Sequence, residues 1–263
     1  MFGNEKSAIA ILDHAHHRLL RSNMNPYFSM ARVRKLEPEI QALVDKLCKR
    51  LNGFKDSGVP IVAQHAFSCF ATDVISDYTM GTGFHYLDEP DFAPQWSETL
   101  GSIAKNSAFF KPFPWLLTLL KALPEGFVGS IDPGMDLMFK FQHRCGQLID
   151  SILAAPNRED ERKKYKHPTF FHDVLDSDLP LKEKSAERLA QEIQVVIGAG
   201  GETVAKALSW TTYYLLENPE KLNALKRELN ELDPKQVASL VELEKMPYLV
   251  RHYSVQSCFI VCK

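Results

Sequence analysis

Cysteine is scarce in this sequence: five among 263 residues, at positions 48, 69, 145, 258 and 262. The number is odd, the spread is wide, and neither Cys-x-x-Cys nor a paired Cys/His spacing occurs, which excludes a disulfide framework and a zinc motif. Free thiols in a reducing, intracellular compartment follow. Long apolar runs are missing too. Nothing approaches the roughly 20 apolar residues that span a bilayer, and Met1-Phe2-Gly3-Asn4-Glu5-Lys6 has no signal-peptide core. An excess of one charge is likewise absent: 31 Lys+Arg stand against 33 Asp+Glu, a net of -2. No global field therefore draws the chain to nucleic acid or to an anionic membrane. Internal repeats and paired runs of alternating polarity do not occur.

What is present is helical periodicity. With 45% hydrophobic and 24% charged residues the chain has an ordinary globular composition and enough length to bury a core. Apolar residues recur at Leu36, Ile40, Leu43, Val44, Leu47 and Leu51, the stripe of an amphipathic helix. A second helix runs from Gln64 to Tyr78 with Phe67, Phe70, Val74, Ile75 and Tyr78 on an aromatic buried face, and stops at Gly81-Thr82-Gly83. Phe109 to Pro124, broken by Pro112, Pro114 and Pro124, reads as a kinked core helix rather than a membrane-facing lip. Met135 to Leu153 is a further helix, and the charge run Arg158 to Lys164 reads as a solvated loop.

The longest pattern follows. Leu189, Ile193, Val196/Ile197, Gly200, Val204, Leu208, Thr211 and Leu215 keep helical spacing from Ser185 to Glu217, where Asn218-Pro219 ends it. That helix is about 50 Å long at 1.5 Å per residue. An amphipathic piece from Glu220 to Leu232 comes next, and the fold class is all-α.

Two constellations bear chemistry. Gly198-Ala199-Gly200-Gly201 follows a β-branched run, but the third glycine and the distant acid of a dinucleotide-binding turn are absent. Inside a helix these glycines cost about 1 kcal/mol each relative to alanine. Two readings account for them equally: a flat ligand approaches the helix there, beside the acid Glu202 and the hydroxyl of Thr203, or small residues let another helix pack closely. In Asp13-His14-Ala15-His16-His17-Arg18-Leu19-Leu20-Arg21 the histidines do not share a face and no set of metal ligands is completed. His17 and Arg21, four apart, do share one, with Asp13 as helix cap. Such a pair suits a carboxylate or phosphate, although a plain surface pair has the same spacing.

Together these segments resemble the cytochromes P-450, the haem-thiolate monooxygenases, and especially fungal members of the trichodiene oxygenase type that tailor secondary metabolites. Ala199-Gly200-Gly201-Glu202-Thr203-Val204 is similar to the family's Ala/Gly-Gly-x-Asp/Glu-Thr-Thr/Ser motif, departing at Val204. His17-x-x-x-Arg21, with Asn25-Pro26-Tyr27-Phe28-Ser29 after it, resembles the helix that holds the haem propionates. Ala66 to Gly81, Thr169 to Ser185 and Glu217 to Leu222 agree in order and context. The resemblance implies a haem cofactor, an NADPH-dependent reductase as electron donor and a small apolar organic substrate. It also implies the endoplasmic reticulum membrane as usual location, without the anchor. By the same resemblance Glu202 and Thr203 are the acid and alcohol that pass on protons during oxygen activation. His17, Arg21, Ala199 and Gly200 border the haem, and Phe109 to Leu120 the substrate.

The resemblance covers residues 1–249, about the middle half of the family's length, and leaves 250–263 as an unrelated tail. A Glu-x-x-Arg helix after the central one and a Phe-x-x-Gly-x-Arg-x-Cys-x-Gly loop, whose thiolate ligates iron, have no counterpart. None of the five cysteines has that context, and the single Glu-x-x-Arg, Glu159 to Arg162, precedes the central helix. A retained intron or a frame change near Leu249 explains the break. Two expectations follow: a haem monooxygenase whose present chain is inactive by itself, or a non-catalytic truncated helical protein with no competent haem.

Overall fold

The helical period of the sequence becomes helix throughout the computed structural model, which describes residues 4–55, 57–101, 115, 133–155, 158–165, 167–233 and 237–250. In chain order the helices are α1 (His14–Met24), α2 (Met30–Lys35), α3 (Glu37–Phe54), α4 (Ala63–Met80), a helical stretch over 94–101, α5 (Pro133–Leu153), α6 (Arg158–Arg162), α7 (Phe170–Asp176), α8 (Ala186–Glu217), α9 (Pro219–Leu229) and α10 (Leu240–Leu243). No strand occurs among the described residues. The run Phe109 to Pro124 lies outside them apart from Trp115, which is exposed, and of the tail only Val250 is described.

Local signals place most boundaries. The Asp13 side chain accepts a hydrogen bond from the His16 backbone N–H at 2.7 Å and caps α1. Pro38 stands in the first turn of α3, where a missing N–H costs nothing. Gly81 ends α4 in the left-handed region, φ 70°, as a residue without Cβ does most easily. Thr169 and His172 form a reciprocal capping box on α7. The charge run is helical rather than a loop over Arg158–Arg162, since Arg and Glu are good helix formers and Arg162 pairs with Asp176 at 3.0 Å.

The helix α8 packs along both α4 and α5, and its first half is buried nearly all round. Leu189, Ile193, Ile197, Gly201 and Ala205, four residues apart, form one buried row. Beyond Ile197 this differs from the sequence stripe through Gly200 and Val204: Val204 is 43% exposed, and the smallest side chains face α4 instead. A partial revision applies to α4: Tyr78 is buried as the stripe predicts, but the rest of its buried face is Ala66, Ser68, Cys69, Ala71, Thr72, Asp73, Ser76, Thr79 and Met80, while Phe67, Phe70, Val74 and Ile75 are half-buried. Close helix contact selects small residues on both sides.

Aromatic rings close the core beside α1 and α7. Tyr27 and Tyr78 stack at 4.4 Å, and each hydroxyl donates to the other's backbone carbonyl. Burial pushes the Tyr27 hydroxyl far above its ordinary pKa, so it stays a donor. Phe170 meets Tyr27 edge to face at 5.6 Å.

Candidate active site

The glycine cluster lies in the middle of α8. A Cβ added at Gly200 would meet Ile75 Cγ1 at 3.0 Å, and one at Gly201 would meet Thr72 Oγ1 at 2.8 Å, whereas Gly198 has nothing within 4 Å among the described residues. Two of the three glycines are thus held to small size by the approach of α4, and Gly198 meets no described side chain. The close-packing reading thus applies to Gly200 and Gly201, and Gly198 lies outside it.

Ala199 and Thr203 are exposed on the side of α8 away from α4. The Thr203 hydroxyl donates to the Ala199 carbonyl at 2.7 Å, the back-bonding that a threonine inside a helix performs. Glu202 is turned inward, its side chain 14% exposed. Its Oε1 pairs with Lys206 Nζ at 2.8 Å, and its Oε2 is buried without a hydrogen-bond partner among the described residues. An acid with one tied and one untied oxygen therefore stands next to an alcohol at the surface.

His17 and Arg21 project from α1 toward the start of α8. His17 is half-buried and Arg21 exposed, and the Arg21 charge favours the ionised form of Glu192. The three neighbouring histidines diverge: His14 is exposed and His16 Nε2 lies 3.1 Å from Glu183 Oε1. No group of three metal-ligating side chains occurs among the described residues. From Glu192 to Ala199 is about 10 Å along the axis at ~1.5 Å per residue. The His17/Arg21 pair and the Ala199/Thr203 pair thus lie near two successive stretches of one helix.

Beneath the first stretch is a network the sequence reading passed over. Arg188, 3% exposed, reaches Glu192 at 3.2 Å and Glu183 at 3.4 Å. Glu192 also accepts the Ala8 backbone N–H at 2.9 Å. Desolvation by burial raises the Glu192 carboxyl above its ordinary range, against the opposing effect of that hydrogen bond and of Arg188. The spacing of Arg188 and Glu192, four apart on a helix, was its visible signal.

Burial pushes the Cys69 and Cys145 thiols up to about 12, which keeps both neutral, and Cys48 is exposed on α3.

A long helix with an acid and an alcohol at its middle, in an all-helical fold, defines a helical protein built around one central helix. A profile of the cytochrome P450 family matches residues 2–252, past the Leu249 break set by the sequence reading, and the chain belongs to that family. It is similar to a tryptophan 6-hydroxylase of Fusarium equiseti, 37% identical over 96% of this chain and 49% of the relative. It is also similar to a cytochrome P450 monooxygenase of Ascocoryne sarcoides, 36% identical over 94% of this chain and 50% of the relative. A fusicoccadiene C-8 hydroxylase of Phomopsis amygdali is 32% identical over 90% of this chain and 47% of the relative. The chain spans about half the length of these curated relatives. No described helix is long and apolar enough to cross a membrane.

Proposed function

We propose that this chain forms the oxygen-facing half of a haem monooxygenase of fungal secondary metabolism, which inserts one oxygen atom from dioxygen into a small apolar organic substrate. One observation carries the reading: Ala199 and Thr203 stand exposed midway along a helix whose first half is packed into the core, beside the untied carboxylate oxygen of Glu202. The residues fit a haem by the chemistry of their donors. Arg21 and His17, four apart on α1, suit its two carboxylates. Ala199 and the open side of Gly198 leave room for a flat group, and Gly200 lets α8 lie close on Ile75.

Haem, when bound with a thiolate, supplies the activation of dioxygen. Thr203 donates its hydroxyl proton to the Ala199 carbonyl, which leaves the oxygen lone pairs to accept a hydrogen bond from the open side. Glu202 accepts and returns protons at Oε2, while Lys206 holds Oε1 in place. No cysteine of this sequence has the ligand pattern, so the thiolate comes from polypeptide that the sequence does not include, as do the contacts for an NADPH-dependent reductase. The endoplasmic reticulum is the setting by family.

Sequencing transcripts through the codons from Pro247 onward tests this directly. The expected result is a frame continuing into Glu-x-x-Arg and the cysteine loop, whose product gives a thiolate-type band when reduced and treated with carbon monoxide. Transcripts that all end at Lys263, with no such band, overturn the reading. In the continuing product Thr203→Ala is expected to lower product formation roughly 10²-fold while oxygen is still consumed. The ratio of product to oxygen used measures this.

A further inference from the structure

Gly201 differs from its neighbouring glycines in what it touches. A Cβ there would lie 2.8 Å from Thr72 Oγ1, with Thr72 Cα and Leu100 Cδ1 each at 3.8 Å. That hydroxyl is not free to turn away. Thr72 is fully buried, and its Oγ1 accepts a hydrogen bond from Trp96 Nε1 at 2.9 Å. Trp96 is 2% exposed and clamped among Phe84, Tyr86 and Phe141, with ring centroids at 6.0, 5.1 and 5.3 Å.

The segment that carries Trp96 is fixed as well. Phe92 and Ala93, just before it, take positive φ of 60° and 40°. The buried Cys69 thiol donates to the Phe92 carbonyl at 3.0 Å, and Arg50 lies over the Phe92 ring at 4.5 Å. Arg50 also donates to the carbonyls of Leu87, Glu89 and Pro90. Two non-glycine residues held in the left-handed region are thus over-determined by their surroundings.

Helix geometry connects this lock to the site. At about 100° per residue, Gly201 lies about 180° around α8 from the midpoint of Ala199 and Thr203. Any push at Gly201 therefore moves the Ala199/Thr203 face outward, and carries Glu202 with it.

We propose that Thr72 and Trp96 are positioning residues: their hydrogen bond sets the depth at which α8 rests on α4 at Gly201, and so the placement of Glu202 and Thr203. The inference rests on the reading of those two residues as the acid and alcohol of the site. It is tested without haem, so that its failure is separate from the failure of that reading.

The test is carbon-13 NMR of the purified chain, following the Thr203 methyl and the Glu202 carboxyl carbon. Gly201→Ala shifts both signals, and adding Thr72→Ala returns them toward the wild-type positions by removing the blocking oxygen. Trp96→Phe keeps a ring but removes the N–H; Thr72 then turns away, and the Gly201→Ala shift becomes smaller. If Gly201→Ala lowers the Tm while both signals stay in place, the contact is ordinary packing and the proposal is overturned. A shift that Thr72→Ala does not reverse overturns it equally. Should Gly201→Ala fail to fold, Trp96→Phe alone decides: displaced or doubled Thr203 methyl signals support the proposal, and unmoved signals refute it. A missing carbon monoxide band in the continuing product bears on the functional reading and leaves these shifts as they are.

Discussion

Arg188 shows how much one side chain holds at the base of α8. It neutralises two buried acids, Glu183 and Glu192, and the second of these also fixes the N-terminal segment through the Ala8 N–H. Removing one partner of a buried ion pair leaves the other charge uncompensated, so Arg188→Ala is expected to cost about 3–5 kcal/mol in a chemical denaturation at neutral pH. Burial raises the Glu192 carboxyl above its ordinary 4.5. The folded state then binds that proton more tightly than the unfolded chain. The Glu192 contribution to stability therefore rises as pH falls through the raised native value and levels off near the ordinary one. Glu192→Gln removes this titration, and urea unfolding between pH 7 and about 4.5 should show a shallower gain on acidification than the wild type. An unchanged pH profile would place the proton elsewhere.

Along the elements, the contact between α4 and α8 places Gly200 against Ile75 and Gly201 against Thr72. Large residues there would keep the backbones apart and lose the contact that Gly200 and Gly201 make. Gly198 is not part of it, so Gly198→Ala is expected to stabilise α8 by about 1 kcal/mol, read as a raised denaturation midpoint. The connection after α4 is held differently. Asp73, 2% exposed, accepts the Tyr86 and Leu87 N–H groups at 2.9 and 2.8 Å, and Arg50 ties three carbonyls of the same loop. Asp73→Ala strands two N–H groups and should cost about 1–3 kcal/mol, with proteolysis beginning between Gly83 and Pro94. The ends of α3, α4 and α8 were legible from Pro38, Gly81 and Asn218-Pro219. The faces were not: α4 reads as aromatic inward, because periodicity places Phe67 and Phe70 on one stripe without saying that a glycine-bearing helix lies against the adjacent one.

For the molecule as a whole, the second half of α8 leaves a face uncovered. Trp210 is 62% exposed and Tyr213 and Tyr214 are exposed beside it, on the side that also holds Ala199 and Thr203. Exposed aromatic residues in a row on a core helix mark a surface that associates. The chain by itself is therefore expected to self-associate or to bind a hydrophobic dye, and Trp210→Glu together with Tyr213→Glu should reduce both. Light scattering across a concentration series measures the first and dye fluorescence the second. A monodisperse, dye-silent chain would show that the face is protected.

Local patterns carried the helical class, the central helix, the cap at Asp13 and the candidate residues His17, Arg21, Glu202 and Thr203, because each depends on spacing within a few turns of chain. The family motif singled out the same stretch of α8 that lies against Thr72 and Ile75 of α4. Three matters depended on residues far apart in sequence. These are which glycines face another helix and which face open space, that Arg188 and Glu192 form a buried network with Glu183 and Ala8, and that Thr72 and Trp96 stand under Gly201. The physical reason is common to them: burial and close contact belong to pairs of elements, and a single helix pattern states its own period but not the shape of the surface laid against it.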